Sequence, residues 1–244
     1  MAVALDVVAM VGKMVEERVP KNPAAARGIL EAAYGFVALS GPVKGSGIYE
    51  RAVERFNGAI AKTIIATLRR PQNSVLVNIF MPRELLAGMH VEPMFPEVVS
   101  TYVGNTACSG CFADVAEGNN VPESFCSYHK LMIGMAECGV LPAPALIANT
   151  TLACDANQVS FRRLAECYGV PQFVVDVPRS QSEASVDFVE ARLYELIAVM
   201  EDELGRPFDQ AAFAEACARS NRTLETLGEY RRLRGSVSLP ASMT

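Results

Sequence analysis

"PALIANTTLACDANQVSFRRLAECYGVPQFVVDVP", residues 144–178, decides the fold. Its apolar opening, 144–150, reads as a buried strand. "DANQVSFRRLAECYG" then places Val159, Leu164 and Cys167 on one face of a helix over 156–168, with Asp155 as its N-cap. "VPQFVVDVP" returns to β-branched residues and reads as another strand. Strand, helix and strand in so short a span make one unit of a parallel sheet with a helix across its face. Cys154 then stands at the carboxyl end of a strand, the edge where ligands bind in open α/β sheets. A thiol followed at once by a carboxylate at that edge asks for a chemical reason.

The pattern extends in both directions. Val75–Phe80 reads as a strand bounded by Asn73 and Ser74 on one side and Pro82 on the other. "PRELLAGMHVEP" follows as a helix with Pro82 at its first position and Glu84 in its first turn. A loop-rich stretch carries Cys108, Cys111 and Cys126, and "SYHKLMIGMAECG" is a short helix. After the third strand a long helix starts near Glu183. Val186, Val189, Leu193, Leu196, Ile197, Met200 and Leu204 form its stripe, "SQSE" its capping box and Gly205 its stop. A last helix, roughly 209–233, ends in the basic run "RRLR".

Residues 1–70 read as helices without strands. "AAARGILEAAYGFVALS" has Ile29, Leu30, Ala33, Tyr34 and Val37 at helical spacing. A Gly/Pro/Ser linker, "SGPVKGSG" (40–47), separates it from the amphipathic "IYERAVERFNGAIAKTIIATLRR". The expected organisation is a helical segment over 1–70, an α/β lobe over 71–235 and a tail over 236–244. There is no internal repeat and no low-complexity tract.

The 244 residues, 50% hydrophobic and 20% charged, suffice for one sizeable core or two modest ones. A net charge of −5 argues against a nucleic-acid partner, which needs a basic face. The N-terminal "MAVALDVVAMVGKMVEERV" is apolar, but Asp6 and Lys13 interrupt it and no basic region precedes it. Neither signal peptide nor membrane span fits, so a cytoplasmic protein is expected, in which the sequons at Asn149 and Asn221 carry no weight. Seven cysteines, an odd number, argue against a disulfide framework, and some are core residues. No serine elbow, Walker loop or GxGxxG is present, so hydrolase, NTPase and dinucleotide-dehydrogenase readings lack their signatures.

Two constellations carry metal chemistry. Cys108, Cys111, Cys126 and His129 make C-x2-C-x14-C-x2-H, close to the spacing of a structural zinc site with three thiolates and one imidazole. Against it, "CSYH" opens a helix inside an α/β domain rather than a hairpin module. The C-x-x-C alone could be a redox pair, but an irregular glycine-rich stretch follows it instead of a thioredoxin-like strand and helix. The other constellation is Cys126 with Cys154, each just before a helix in a loop leaving the sheet's carboxyl edge. A helix N-terminus offers unpaired N–H groups and positive partial charge to an anion. Two such thiolates suit a soft metal or an iron–sulfur cluster. The plain alternative is that both cysteines are packing residues. Glu84 has a plain reading too, as a first-turn carboxylate steadied by the helix dipole.

Taken in order, "SVLVNIFMPRELLAGMHVEPM", "FCSYHKLMIGMAECG" and "ALIANTTLACDANQVSFRRLAECYGVPQFVVDVP" resemble the 2-hydroxyacyl-CoA dehydratase family, which includes the benzoyl-CoA reductase subunits. The shared patterns are P-x-E-L-L-x-A-G after a strand, C-S at a helix start followed by G, and C-D before F-R-x-L-A-x-x-Y-G-V-P. The resemblance covers roughly residues 73–235. It implies Rossmann-like lobes with a helical N-terminal part, paired as heterodimers around acyl-CoA. It implies three cysteines per subunit holding a [4Fe–4S] cluster with one iron open. An ATP-hydrolysing activator protein would deliver one electron, which reaches the thioester carbonyl and gives a ketyl radical that expels the α-hydroxyl. By motif, Cys126 and Cys154 would be cluster thiolates, and Glu84 would line the substrate side as a catalytic residue.

The resemblance also implies a second lobe carrying the third cysteine, which is expected to be absent from this chain. Cys217 lies mid-helix and reads as packing. The third ligand then comes from Cys108, Cys111 or another chain, or the piece holds no cluster. The rival classes are a zinc-stabilised binding protein and a cluster-free assembly subunit in which Cys154 is core.

Overall fold

A computed structural model describes residues 2–40, 48–152 and 154–236. The expected linker from Gly41 onward and the expected tail from residue 237 lie outside the described residues. Three helices precede every strand: α1 (Ala2–Arg18), α2 (Pro23–Leu39) and α3 (Ile48–Arg69). Asn22 starts α2 by accepting the Ala25 N–H at 3.0 Å, with Pro23 behind it. The chain then alternates through β1 (Ser74–Val77), α4 (Arg83–Gly88), β2 (Glu92–Met94), α5 (Pro96–Gly104), α6 (Ser109–Gly118) and α7 (Ser127–Glu137). It continues through β3 (Leu146–Thr150), α8 (Asp155–Tyr168), β4 (Gln172–Val175), α9 (Glu183–Leu204) and α10 (Gln210–Ser236). All strand pairings are parallel, in the order β2-β1-β3-β4. The expected parallel, helix-flanked sheet is the one observed.

Strand alternation builds a core on each face. Val75 and Val77 of β1 and Leu146 and Ala148 of β3 pack toward α4 and α9. Leu76 and Ile147, opposite each other in register, point the other way. There they meet Val15, Leu30 and Ile64 of α1–α3 and Val99, Phe112, Met132 and Phe161 of α5–α8. Helices α6 and α7 lie in unusually close contact. A Cβ on Gly134 would fall 1.9 Å from the carbonyl oxygen of Phe112, so only glycine fits there. Gly169 ends α8 in the left-handed region, at φ 64°.

Several local expectations change. The stretch read as loop-rich contains α5 and α6, whose apolar pairs (Val99 with Val103, Phe112 with Ala116) sit in helices too short to show a clear period. Strand β2, "EPM", was not anticipated; it is an edge strand, where Pro93 is tolerated. Strand β1 ends at Val77 rather than Phe80, because Met81 N–H turns back to Asn78 O at 3.0 Å. Pro82 caps α4 rather than opening it, and Cys154 rather than Asp155 is the N-cap of α8. The Ser180–Glu183 box is not formed; Ser182 caps α9 by accepting the Ser185 N–H at 3.2 Å. The buried face of α8 is Asn157, Ser160, Phe161 and Leu164, while Val159 and Cys167 face solvent, because Phe161 takes the core position. Along α9, Leu196 and Met200 are buried as expected, but Val186 is exposed.

Candidate functional site

Strand β1 has β2 on one side and β3 on the other, so the crevice between the carboxyl ends of β1 and β3 is the switch point of the sheet. Asn78 and Thr150, both buried, close its floor. Asn78 Nδ2 donates to Thr150 Oγ1 at 3.0 Å, and Thr150 N–H donates to Asn78 Oδ1 at 3.1 Å. Thr151 Oγ1 donates to Asp176 at 2.9 Å and accepts the Val177 N–H, tying the loop after β3 to the end of β4. Ile79 and Phe80 after β1, and Leu152 after β3, stand exposed around this floor.

Both candidate thiols project from helix starts at this edge. Cys126 is the N-cap of α7 and Cys154 the N-cap of α8; both are exposed, and neither side chain makes a capping bond. The cap side chains therefore take up no first-turn N–H, although the Cys154 carbonyl accepts the Asn157 N–H at 3.0 Å and the Cys126 carbonyl the Lys130 N–H at 3.0 Å. His129, in the first turn of α7, joins the two starts: its Nε2 lies 4.0 Å from Cys154 Sγ. The imidazole is 5% exposed and packs edge-on against Phe125, with centroids 5.8 Å apart. Burial lowers its pKa, which keeps it neutral, and its Nδ1 has no partner. Lys130 anchors the same turn, donating to Glu117 at 2.6 Å and to the Glu123 carbonyl at 2.8 Å.

The remaining candidates lie elsewhere. Cys108 caps α6 with its thiol fully buried, 2.9 Å from Thr106 Oγ1. Cys111, one turn on, donates to the Cys108 carbonyl at 3.0 Å. A helix start is thus present at the C-x-x-C where an irregular stretch was expected, but α5 rather than a strand precedes it. Burial raises the Cys108 thiol and pushes Cys111 up to about 12, with Cys108 and Glu16 adding to the latter. No group of three or more His, Cys, Asp or Glu side chains that could hold a metal ion occurs among the described residues. Cys108, Cys111, Cys126 and His129 accordingly do not form the zinc quartet that their spacing allows.

Glu84 belongs to α4, on the other face of the sheet from α7 and α8. It accepts a hydrogen bond from Ser220 of α10 and lines a cleft of about 530 Å³ with Arg83, Arg219 and Thr223. His90 sits before β2, at the opposite edge of the sheet, paired with Asp209 at 3.0 Å. Cys217 is half-buried on α10.

Asn78, Thr150 and Glu97 were not singled out from the sequence. The Asn78 signal, a polar residue closing a β-branched run, was hidden by drawing the strand on to Phe80. Glu97, in the first turn of α5, has both carboxylate oxygens shielded from solvent and without a hydrogen bond. Burial raises its pKa to about 7, against the lowering influence of the backbone N–H groups of Glu97 and Ile79.

An iron–sulfur group needs soft, accessible thiolates with hydrogen-bonding groups close behind them. Cys126 and Cys154 are exposed thiols, but with His129 they do not form a metal-holding group among the described residues, so these side chains alone do not make up the donor set of a cluster.

A family model described as the 2-hydroxyglutaryl-CoA dehydratase D-component matches residues 78–244. The alpha subunit of (R)-2-hydroxyglutaryl-CoA dehydratase from Acidaminococcus fermentans is 26% identical over 87 residues, covering 34% of this chain and 18% of that subunit. The alpha subunit of lactoyl-CoA dehydratase from Anaerotignum propionicum is 23% identical over 166 residues, covering 59% of this chain and 39% of its own length. The chain thus spans well under half the length of either relative. With the matched region running from the end of β1 through both candidate thiols, the chain belongs to the 2-hydroxyglutaryl-CoA dehydratase D-component family.

Proposed function

We propose that the chain is an iron–sulfur subunit, or one lobe of such a subunit, of a 2-hydroxyacyl-CoA dehydratase-like system. In this reading Cys126 and Cys154 are two thiolate ligands of a [4Fe–4S] cluster. One observation carries it: α7 and α8 bring their starts together at the switch point of the sheet, joined by the 4.0 Å approach of His129 to Cys154. When bound, such a cluster supplies single low-potential electrons for radical dehydration or reduction of an acyl-CoA thioester.

The chain's own residues do the positioning. Asn78 and Thr150 hold the loop that presents Cys154, and the positive ends of the α7 and α8 dipoles favour negative charge at the two thiols. Ile79, Phe80 and Leu152 offer an apolar wall for an acyl chain. Glu84 belongs to the substrate side in this reading, entered through the α4–α10 cleft. Cys108 is buried and Cys111 half-buried on α6, so the third thiolate is assigned outside the described residues or to a companion subunit. An ATP-dependent activator protein completes the system, and the compartment is the cytoplasm. No helix among the described residues is long and apolar enough to cross a membrane, which accords with that compartment without deciding it.

Anaerobic reconstitution with ferrous iron, sulfide and an external thiol tests this. The wild-type chain acquires a broad thiolate-to-iron absorption, and Cys126→Ala and Cys154→Ala each lose it. A spectrum unchanged in both variants sinks the reading.

A further inference from the structure

Helices α4 and α10 are pinned together at one end and leave a cleft at the other. At the pinned end Phe208 fills the space over Gly88, where a Cβ would fall 2.4 Å from its ring, and the Asp209 N–H donates to the Gly88 carbonyl at 2.8 Å. Farther along α10 the two helices enclose about 530 Å³. Small side chains line its base, Ala87 and the buried Ala216, and there the Ser220 hydroxyl donates to Glu84. Its rim carries two exposed guanidinium groups, Arg83 from α4 and Arg219 from α10. The fold itself explains neither. Arg83 is the first residue of α4, the end of a helix that disfavours a cation, and it has no hydrogen bond or ion pair among the described residues. Arg219 donates through Nη1 to Glu215, which lies one turn back and outside the cleft, so most of its N–H groups stay available. The charged groups lining the cleft are thus two guanidiniums and the Glu84 carboxylate at the base, already engaged by Ser220.

We infer that this cleft is a phosphate site, in which Arg83 and Arg219 close on one phosphate or diphosphate group from opposite helices. A tetrahedral oxyanion offers acceptors in several directions, so it takes two planar forks at once, and its double charge matches two guanidiniums. A carboxylate, with two oxygens in one plane and a single charge, satisfies only one of them. Arg83 stands just beyond the end of β1, so the rim opens on the carboxyl edge of the sheet that also carries Asn78 and Cys154. The exposed Ile79 and Phe80 occupy the loop between that edge and Arg83. The inference rests on the acyl-CoA reading above only for the carrier, since coenzyme A bears both a diphosphate and a single phosphate. A phosphate group without coenzyme A presents the same chemistry to the two arginines.

Titration calorimetry on the full chain tests this with inorganic pyrophosphate and with coenzyme A. Both are expected to bind, to compete with each other and to weaken as salt is raised. Arg83→Gln and Arg219→Gln are each expected to weaken both ligands about tenfold or more, the effect of losing a charge-assisted pair. Arg222→Gln, which removes the same charge from α10 outside the cleft, is expected to bind as wild type does. The three arginines are exposed, so unfolding curves of the variants should overlay that of the wild type. A wild-type chain that binds neither ligand overturns the phosphate site. Affinities unchanged in both cleft variants, or reduced equally in Arg222→Gln, overturn it as well. Pyrophosphate held through both arginines with no binding of coenzyme A keeps the site and tells against the acyl-CoA reading. Coenzyme A bound equally well by wild type and both cleft variants keeps the acyl-CoA reading and overturns the site.

Discussion

Asn78 and Thr150 are clasped across the carboxyl edge of the sheet: Asn78 Nδ2 donates to the threonine hydroxyl at 3.0 Å and to its carbonyl at 3.3 Å, and Asn78 Oδ1 accepts the threonine backbone N–H at 3.1 Å. Both residues are buried, and they lie where β1 and β3 end beneath the candidate thiol at Cys154. This clasp sets the path of the loop out of β3. Asn78→Ala removes the whole clasp and leaves the buried Thr150 N–H without its partner, while the Thr150 hydroxyl keeps the Leu152 N–H. The loss is about 2–3 kcal/mol of unfolding free energy, read from urea melts. Thr150→Val, which spares the backbone bond, loses less.

Gly134→Ala is expected to be among the most damaging small substitutions. The added methyl would sit 1.9 Å from the Phe112 carbonyl oxygen and 2.7 Å from its carbon, both main-chain atoms that cannot swing away. Helices α6 and α7 must part, at a cost of about 3 kcal/mol or more. On the cluster reading proposed above, the same variant also reconstitutes poorly, because α7 starts at Cys126 and carries His129. Retention of wild-type melting behaviour would contradict the close contact.

Glu97 makes stability depend on pH in a defined direction. Burial raises its carboxyl from 4.5 to about 7, so the folded chain binds this proton more tightly than the unfolded chain does. Its contribution is fully present below about pH 4.5 and is lost progressively as pH rises toward about 7. In Glu97→Gln that loss disappears. The stability difference, variant minus wild type, is expected to grow by on the order of 2–3 kcal/mol between about pH 4.5 and about pH 8. A difference that stays flat across this range contradicts the buried carboxyl.

Thiol labelling separates the cysteines. Cys126 and Cys154 are exposed, whereas Cys108 is buried and the Cys111 thiol is held up at about 12. Short treatment of folded protein with iodoacetamide near neutral pH modifies Cys126 and Cys154. Cys111 reacts more slowly by two to three orders of magnitude (roughly, from its thiolate fraction alone), and Cys108 reacts only on unfolding. Peptide mass spectrometry reads each site. Rapid labelling of Cys108 would show that α6 does not bury it.

The sequence by itself determined the fold class and most of what stands at the site. Runs such as Leu146–Ala148 are apolar at successive positions because strands covered on both faces need apolar residues on both, and Phe161, Leu164 and Gly169 mark a helix and its end by local chemistry. Those signals are short-range, so they survive in one dimension. The start of α8 was off by one residue and its buried face was misread, because which stripe of a helix is buried depends on what packs against it. Strand β2 escaped notice because three residues carry no period, and its pairing with β1 exists only in the folded sheet. The two thiols and the histidine were visible as residues. Tertiary structure alone decided that Cys108 is core and Cys111 half-buried against it, that Glu84 faces Ser220 across the sheet from Cys126, and that His129 reaches Cys154. Contacts between groups 25 or 136 positions apart are set by how layers stack, and no local pattern encodes that distance.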